Sequence, residues 1–183
     1  WILKTMDEVI QITKDIKAGN IKPIYFFMGE EPYYIDRLTD FIEQNVLQEH
    51  ERDFNQSILY GRDVTMEEVI GSAKRFPMMA DRQVVVVREA QELSRTIDKL
   101  EAYAENPQHT TVLVFAYKYK TLDKRKKVTK LLDKVGVVYE SKKLYENQVG
   151  EWIKRVLSGQ GYSIEPKAAA ILVEFLGTDL SKI

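Results

Sequence analysis

Residues 22–36 read KPIYFFMGEEPYYID, and the parsing of that run decides the fold. Its first half is apolar without a polar alternation, which is the pattern of a strand covered on both faces. Gly29 ends the run, GEEP makes a turn, and Tyr34, Leu38, Phe41 and Ile42 then recur at helical spacing. Strand, glycine turn and helix in that order make the opening of an α/β unit. The same alternation repeats downstream. DFNQSILYG reads as a second strand, less apolar and therefore nearer an edge, and QVVVVRE, TTVLVFA and GVVYE read as three more. Helical segments separate them. Thr65 and Glu68 have capping-box spacing ahead of Met66, Val69, Ile70 and Ala73; Ile97, Leu100 and Tyr103 mark another helix; Val128, Leu131 and Leu132 form the inward face of a basic one. An N-terminal helix opens with Thr5 and Glu8 at the same spacing, buries Met6, Val9, Ile10 and Ile16, and stops at Gly19. Five apolar strands alternating with helices predict a parallel sheet with helices on both sides.

The rhythm changes near residue 144. Val149, Trp152, Ile153, Val156 and Leu157 fall at helical spacing, SGQGYS breaks that helix, and Pro166 opens another through Ala169, Leu172, Val173 and Leu176 to Gly177. The expected division is therefore an α/β domain over 1–144 and the start of an all-helical domain over 145–183, with TDLSKI opening a helix that does not continue.

Composition narrows the function. The 183 residues carry 27 basic and 28 acidic side chains, a formal charge of −1, which gives no general attraction to nucleic acid or membrane. The absence of cysteine excludes disulfides, thiolate zinc and a cysteine nucleophile, and fits a reducing cytoplasm. His50 and His109 both sit in polar surroundings, where metal or acid–base roles are not expected. No stretch approaches the apolar length of a membrane span.

A strand–glycine–helix opening is where a phosphate-binding loop belongs, and such a loop needs G-x-x-x-x-G-K-[ST]. Counted from Gly29 the sequence is GEEPYYID, with Tyr34, Ile35 and Asp36 where Gly, Lys and Ser/Thr are required. Glu30 and Glu31 would repel a polyphosphate, and Pro32 removes an amide donor. At the end of the VVVV strand, where an Asp-Glu pair would hold Mg²⁺, the residues are Arg88 and Glu89. The expected architecture is that of a nucleotide switch without its chemistry, and no cofactor is expected. A second anomaly is RFPMMADRQVVVV, residues 75–87, where a loop ahead of a buried strand carries Phe76, Met78 and Met79. Either these side chains fill a gap beneath the strand, or they are held out for another protein to bury.

Taken together, KPIYFFMGEEPYYID, FPMMADRQVVVVREAQEL, TVLVFAYK and LYENQVGEWIKRVLSGQGYSIEPKAAAILVEFLGTDLSKI resemble the delta subunit of bacterial DNA polymerase III, most closely its Bacteroidetes-type branch. The similarity runs in order along essentially the whole chain. It implies an AAA+ clamp-loader fold with a degenerate ATP site: a five-stranded parallel sheet flanked by helices, then part of an all-α lid, with a C-terminal collar beyond. It implies no catalysis by this chain, only membership of a DNA-directed DNA polymerase holoenzyme whose nucleotidyl transfer happens elsewhere. The implied role is to bind and open the ring-shaped sliding clamp for loading onto primed DNA. The implied partners are the clamp (beta subunit), the gamma/tau and delta prime subunits, and DNA within the complex.

The family's hydrophobic wedge precedes a small–polar–Arg-Gln segment, here Ala80-Asp81-Arg82-Gln83, so the resemblance puts the wedge on Met78 and Met79 with Phe76 in support. The family often has Leu-Phe there. ATPase-competent relatives carry a Ser-Arg-Cys trigger before the fifth strand, where this chain has Asp133-Lys134-Val135-Gly136 and so no arginine finger. The basic run KYKTLDKRKKVTKLLDK offers Lys124, Arg125, Lys126 and Lys127 as possible phosphate contacts, against the simpler reading of a solvated surface. The rival to a clamp opener is an AAA+-like structural or interaction domain with a partner other than the clamp.

Overall fold

The computed structural model describes residues 2–183. The chain runs α1 (Ile2–Lys17), β1 (Ile24–Gly29), α2 (Pro32–Asn45), α3 (Glu49–Asn55), β2 (Gln56–Tyr60), α4 (Met66–Ala73) and β3 (Gln83–Arg88). A 3₁₀ segment (Ala90–Lys99) and α5 (Leu100–Glu105) lead to β4 (Thr111–Lys118), α6 (Lys127–Val135) and β5 (Val137–Glu140). Then come α7 (Glu146–Gly159), α8 (Pro166–Leu176) and a closing 3₁₀ turn at Leu180–Lys182. The five strands form one sheet in the order β2-β3-β4-β1-β5, and every pairing is parallel.

The central strands β1, β3 and β4 are the continuous apolar runs, because each has a neighbour on both edges and helices on both faces. Successive side chains divide between two cores. Tyr25, Phe27, Val84, Val86, Val112 and Val114 point towards α1 and α2. Phe26, Met28, Val85, Val87, Leu113 and Phe115 point towards α4, α5 and α6. In register, Phe26 lies beside Phe115, with ring centroids 5.3 Å apart. Each such fully buried side chain contributes on the order of 1.5–3 kcal/mol of transfer free energy. The edge strand β2 is half exposed, which its weaker apolar pattern anticipated.

The helical unit after residue 144 shares the first of these cores. Val149, Trp152, Ile153 and Leu180 are buried in one cluster with Tyr34, Ile35 and Leu38 of α2. The Trp152 indole N–H donates to the Tyr34 hydroxyl at 2.5 Å, both groups buried. No helix among the described residues is long and apolar enough to cross a membrane.

Four local expectations need correction. Helix α1 already runs from Ile2, so Thr5 is inside it rather than at its cap, and the Thr5 side chain lies outside the described residues. Ile12, not Ile10, completes its inward stripe with Val9 and Ile16; Ile10 is one position round the helix and 42% exposed. Asp53, Phe54 and Asn55 belong to the short helix α3 rather than to strand β2. Finally, α6 begins only at Lys127, so Lys124, Arg125 and Lys126 lie in the turn before it.

Candidate functional site

The loop from β1 to α2 stands where a phosphate loop would, and its Gly29, Glu31 and Tyr33 amides are bonded within the protein. Gly29 has φ +128, and a Cβ there would stand 2.2 Å from the Ser141 carbonyl oxygen, so the turn admits only glycine. The Gly29 N–H donates to the Lys120 carbonyl at 3.0 Å and the Glu31 N–H to the Ser141 carbonyl at 3.2 Å. Glu31 caps α2 itself: its carboxylate accepts the Tyr33 N–H at 3.1 Å. Pro32, at the first turn, has no N–H to offer. Glu31 is buried, and that burial pushes its carboxyl above the usual range, with the Tyr33 N–H opposing. Glu30 is exposed, while Tyr34 and Ile35 are core residues.

Asp36 turns towards the ends of the strands, where a metal-binding acid would otherwise be expected, and meets cations instead. It accepts from Lys118 Nζ at 2.8 Å and lies 4.0 Å from Arg88. Arg88, the last residue of β3, donates to Asp40 at 2.7 Å and to Glu43 at 2.8 and 3.2 Å. Lys118, at the end of β4, also reaches Glu89 at 3.4 Å. Burial works against the charge on Arg88 and on Lys118. The carboxylates more than offset it, Asp40 and Glu43 for the arginine and Asp36 with Glu89 for the lysine, so both stay cationic more firmly than usual. Each strand ends in a left-handed residue just past its cation, Glu89 at φ +51 and Tyr119 at φ +68. No group of three or more potential metal ligands is gathered anywhere among the described residues.

At the opposite end of the strands, the loop from α4 to β3 presents its apolar side chains to solvent. Phe76 is 80% exposed, Met78 61% and Met79 99%, so neither methionine fills a gap beneath β3. The base of the loop is fastened by buried polar groups. Gln83 Nε2 donates to the carbonyls of Arg75 (2.6 Å) and Ser72 (3.1 Å) and contacts Thr111 Oγ1 at 2.9 Å. Thr111 Oγ1 donates to the Ala73 carbonyl at 2.6 Å, and the Gln108 side chain reaches the Arg75 carbonyl at 3.0 Å. The tip is held by Asn55, at the end of α3. Its side chain accepts the Met78 N–H at 2.6 Å and donates to the Met78 carbonyl at 2.8 Å. Met79, the next residue, adopts φ +55, a left-handed conformation that costs a non-glycine residue about 1–2 kcal/mol.

The basic segment is distributed among acidic partners. Lys124 pairs with Glu140 at 3.5 Å, Arg125 with Asp123 at 2.9 Å, Lys126 with Asp98 at 3.3 Å and Lys127 with Glu105 at 2.8 Å. His50 and His109 are both exposed. Asn55 is the element missing from the sequence reading. Its signal, an asparagine just ahead of a strand, was lost once DFN was assigned to that strand.

Comparisons with known proteins bear on the family and the fold. Residues 25–142, well over half of the chain, match the family model for the DNA polymerase III delta subunit. The DNA polymerase III subunit delta of Bacillus subtilis is 28% identical over 184 residues, covering 96% of this chain and 53% of the relative. The chain therefore spans about half the length of the curated relative it matches. The solved structure of the Bacillus subtilis DNA clamp loader delta protein superposes with a TM-score of 0.77 at 27% identity, over 94% of this chain and 54% of that one. The Thermotoga maritima RuvB Holliday junction branch migration motor, at TM-score 0.53 and 16% identity over 92% of this chain and 54% of its own, shares the AAA+ fold alone. On the family match and the shared fold, the chain belongs to the DNA polymerase III delta subunit family.

Proposed function

We propose that this chain grips the sliding clamp of the replicative polymerase through Phe76, Met78 and Met79 and holds its ring open for loading onto primed DNA, without hydrolysing ATP. The observation that carries the proposal is the everted apolar tip. Three large apolar side chains stand in water on a loop whose backbone is fastened at both base and end. A monomeric protein gains nothing by exposing them. Methionine is unbranched and polarizable and adapts to an apolar pocket. Full burial of the two methionines contributes on the order of 3–6 kcal/mol before entropic losses. A tip that fits the opened ring better than the closed one shifts the ring towards opening by that difference in affinity.

The β1–α2 loop supports the part of the proposal that denies ATP hydrolysis. Its Gly29 and Glu31 amides are bonded within the protein, its helix start is capped by Glu31, and Asp36 is neutralised by Lys118. Residues 1–144 carry the tip, and residues 145–183 begin the lid. The gamma/tau and delta prime subunits are the expected neighbours in a cytoplasmic assembly around DNA. The ion pairs of Lys124, Arg125, Lys126 and Lys127 favour surface solvation over DNA contact for that segment.

The test is a calorimetric titration of the protein with the sliding clamp of the same organism, with and without Mg·ATP. Binding should be equal in both. A Met78→Ala, Met79→Ala double variant should lose at least about 100-fold in affinity, equivalent to about 2.7 kcal/mol, while retaining the thermal stability of the parent. Clamp binding that survives the double substitution, or that requires ATP, would overturn the proposal. A tip that binds no clamp would leave the interaction domain with another partner.

A further inference from the structure

Resting on the clamp-gripping reading of the tip, we infer that Asn55 is its positioning residue: a buried amide that holds Met78 and Met79 in their outward conformation before any partner arrives. Asn55 is 4% exposed and is therefore not itself a contact residue. Both of its N–H groups and its oxygen bond to backbone within the protein. One side chain satisfies both backbone groups of Met78, accepting from the N–H at 2.6 Å and donating to the carbonyl at 2.8 Å, while its other N–H goes to the Glu51 carbonyl at 3.0 Å. The primary amide thus imitates the edge of a neighbouring strand for one residue of an exposed loop. The two bonds fix the peptide planes on either side of Met78, and Met79, directly after them, holds its left-handed φ of +55. Such a conformation persists in a non-glycine residue only where the surroundings over-determine it.

The other anchors lie elsewhere. Gln83, Thr111 and Gln108 bond to carbonyls from Ser72 to Arg75, at the loop's base. Among the described residues, Asn55 supplies the side-chain bonds that reach the tip, from 23 positions away in sequence. Without it the loop base stays fastened, but the tip samples conformations in which the methionines fold back or splay apart. The observed affinity then falls in proportion to the fraction of molecules with a competent tip. A tip competent about one time in ten binds about tenfold more weakly, and the loss falls mainly on the association rate.

Two measurements on Asn55→Ala separate this role from a merely structural one. Amide hydrogen exchange at Met78 should be slow in the parent for an exposed loop, and should accelerate at least about tenfold in the variant. Titration with purified sliding clamp should show at least about tenfold weaker binding. That loss should disappear when Asn55→Ala is placed in the Met78→Ala, Met79→Ala background, as coupled residues require. Asn55→Asp fills the same volume but turns a second oxygen towards the carbonyls of Met78 and Glu51. It should reproduce the loss and so guards against a cavity effect on folding. Unchanged Met78 exchange, or unaltered clamp affinity in both variants while the parent binds, overturns the inference. A parent that binds no clamp sinks the functional reading instead, and the exchange data alone then decide whether Asn55 sets the tip.

Discussion

The Trp152–Tyr34 hydrogen bond joins the helical unit to the sheet unit, and removing its acceptor tests how firmly. The Tyr34→Phe change deletes one hydroxyl and leaves the packing of the ring intact. The Trp152 N–H, in a side chain only 2% exposed, then has no partner. A buried donor left unsatisfied costs about 1–3 kcal/mol. For a protein of this size each kcal/mol moves the melting temperature by about 2–4 °C, so a fall of about 2–12 °C is expected. Urea unfolding followed by tryptophan fluorescence and by circular dichroism should show the same lowered midpoint, because the two units share one core and should unfold together. In a double-mutant cycle with Trp152→Phe, where no donor remains to be orphaned, Tyr34→Phe should cost at least about 1 kcal/mol less than it does alone. A loss below about 0.5 kcal/mol, or separate transitions for the two probes, would refute this account of the junction.

Two further outcomes follow from the strand ends and the loop. Replacing Arg88 by Met keeps the apolar stem but leaves Asp36, Asp40 and Glu43 facing one another along α2. Asp40 is half exposed and its bond counts for little, so the bond to the better-buried Glu43 dominates and the loss should be about 1.5–3 kcal/mol. That deficit should shrink in about 1 M salt, where charge repulsion is screened within about 3 Å; a salt-independent deficit would count against electrostatics as its cause. For Glu31, burial raises the carboxyl above its ordinary value of 4.5, so the folded protein keeps a proton that the unfolded chain has already released. Stability is therefore lost as pH rises through the raised value. Glu31→Gln retains an oxygen for the Tyr33 N–H without the charge. It should be more stable than the parent at neutral pH and no more stable below the carboxylate range, as melting curves across pH will show; a variant less stable at pH 7 would reverse the assignment.

The sheet was legible because its strands are long apolar runs, and in water a parallel strand buried on both faces has few other ways to be written. The departure from the phosphate-loop pattern was legible for a related reason: Ile35 stands where a lysine would neutralise phosphate, and Arg88, a cation, stands where an acid would ligate a metal. The exposure of Met78 and Met79 was not decided by their residue types, which suit a gap in the core equally well. Loop conformation decides it, and that depends on Asn55, whose helix is only seven residues long and lacks an apolar stripe. The Ile10 error has a plainer origin, since one position on a helix is 100° of rotation and amphipathic stripes blur at their margins. Ion pairs such as Lys118 with Asp36 join residues far apart in sequence and leave no local signal.

The bonded state of the β1–α2 loop also makes its departure from the phosphate-loop pattern hard to undo. Installing a lysine at position 35 would push a charge into the core, and the backbone donors it would need beside it already belong to Lys120, Ser141 and Glu31. Freeing them means moving the segment around Ser141, against which Gly29 lies with no room to spare. Conversion to the phosphate-loop pattern would thus take several coordinated replacements, since any single one leaves the bonds to Lys120 and Ser141 and the close contact at Gly29 in place.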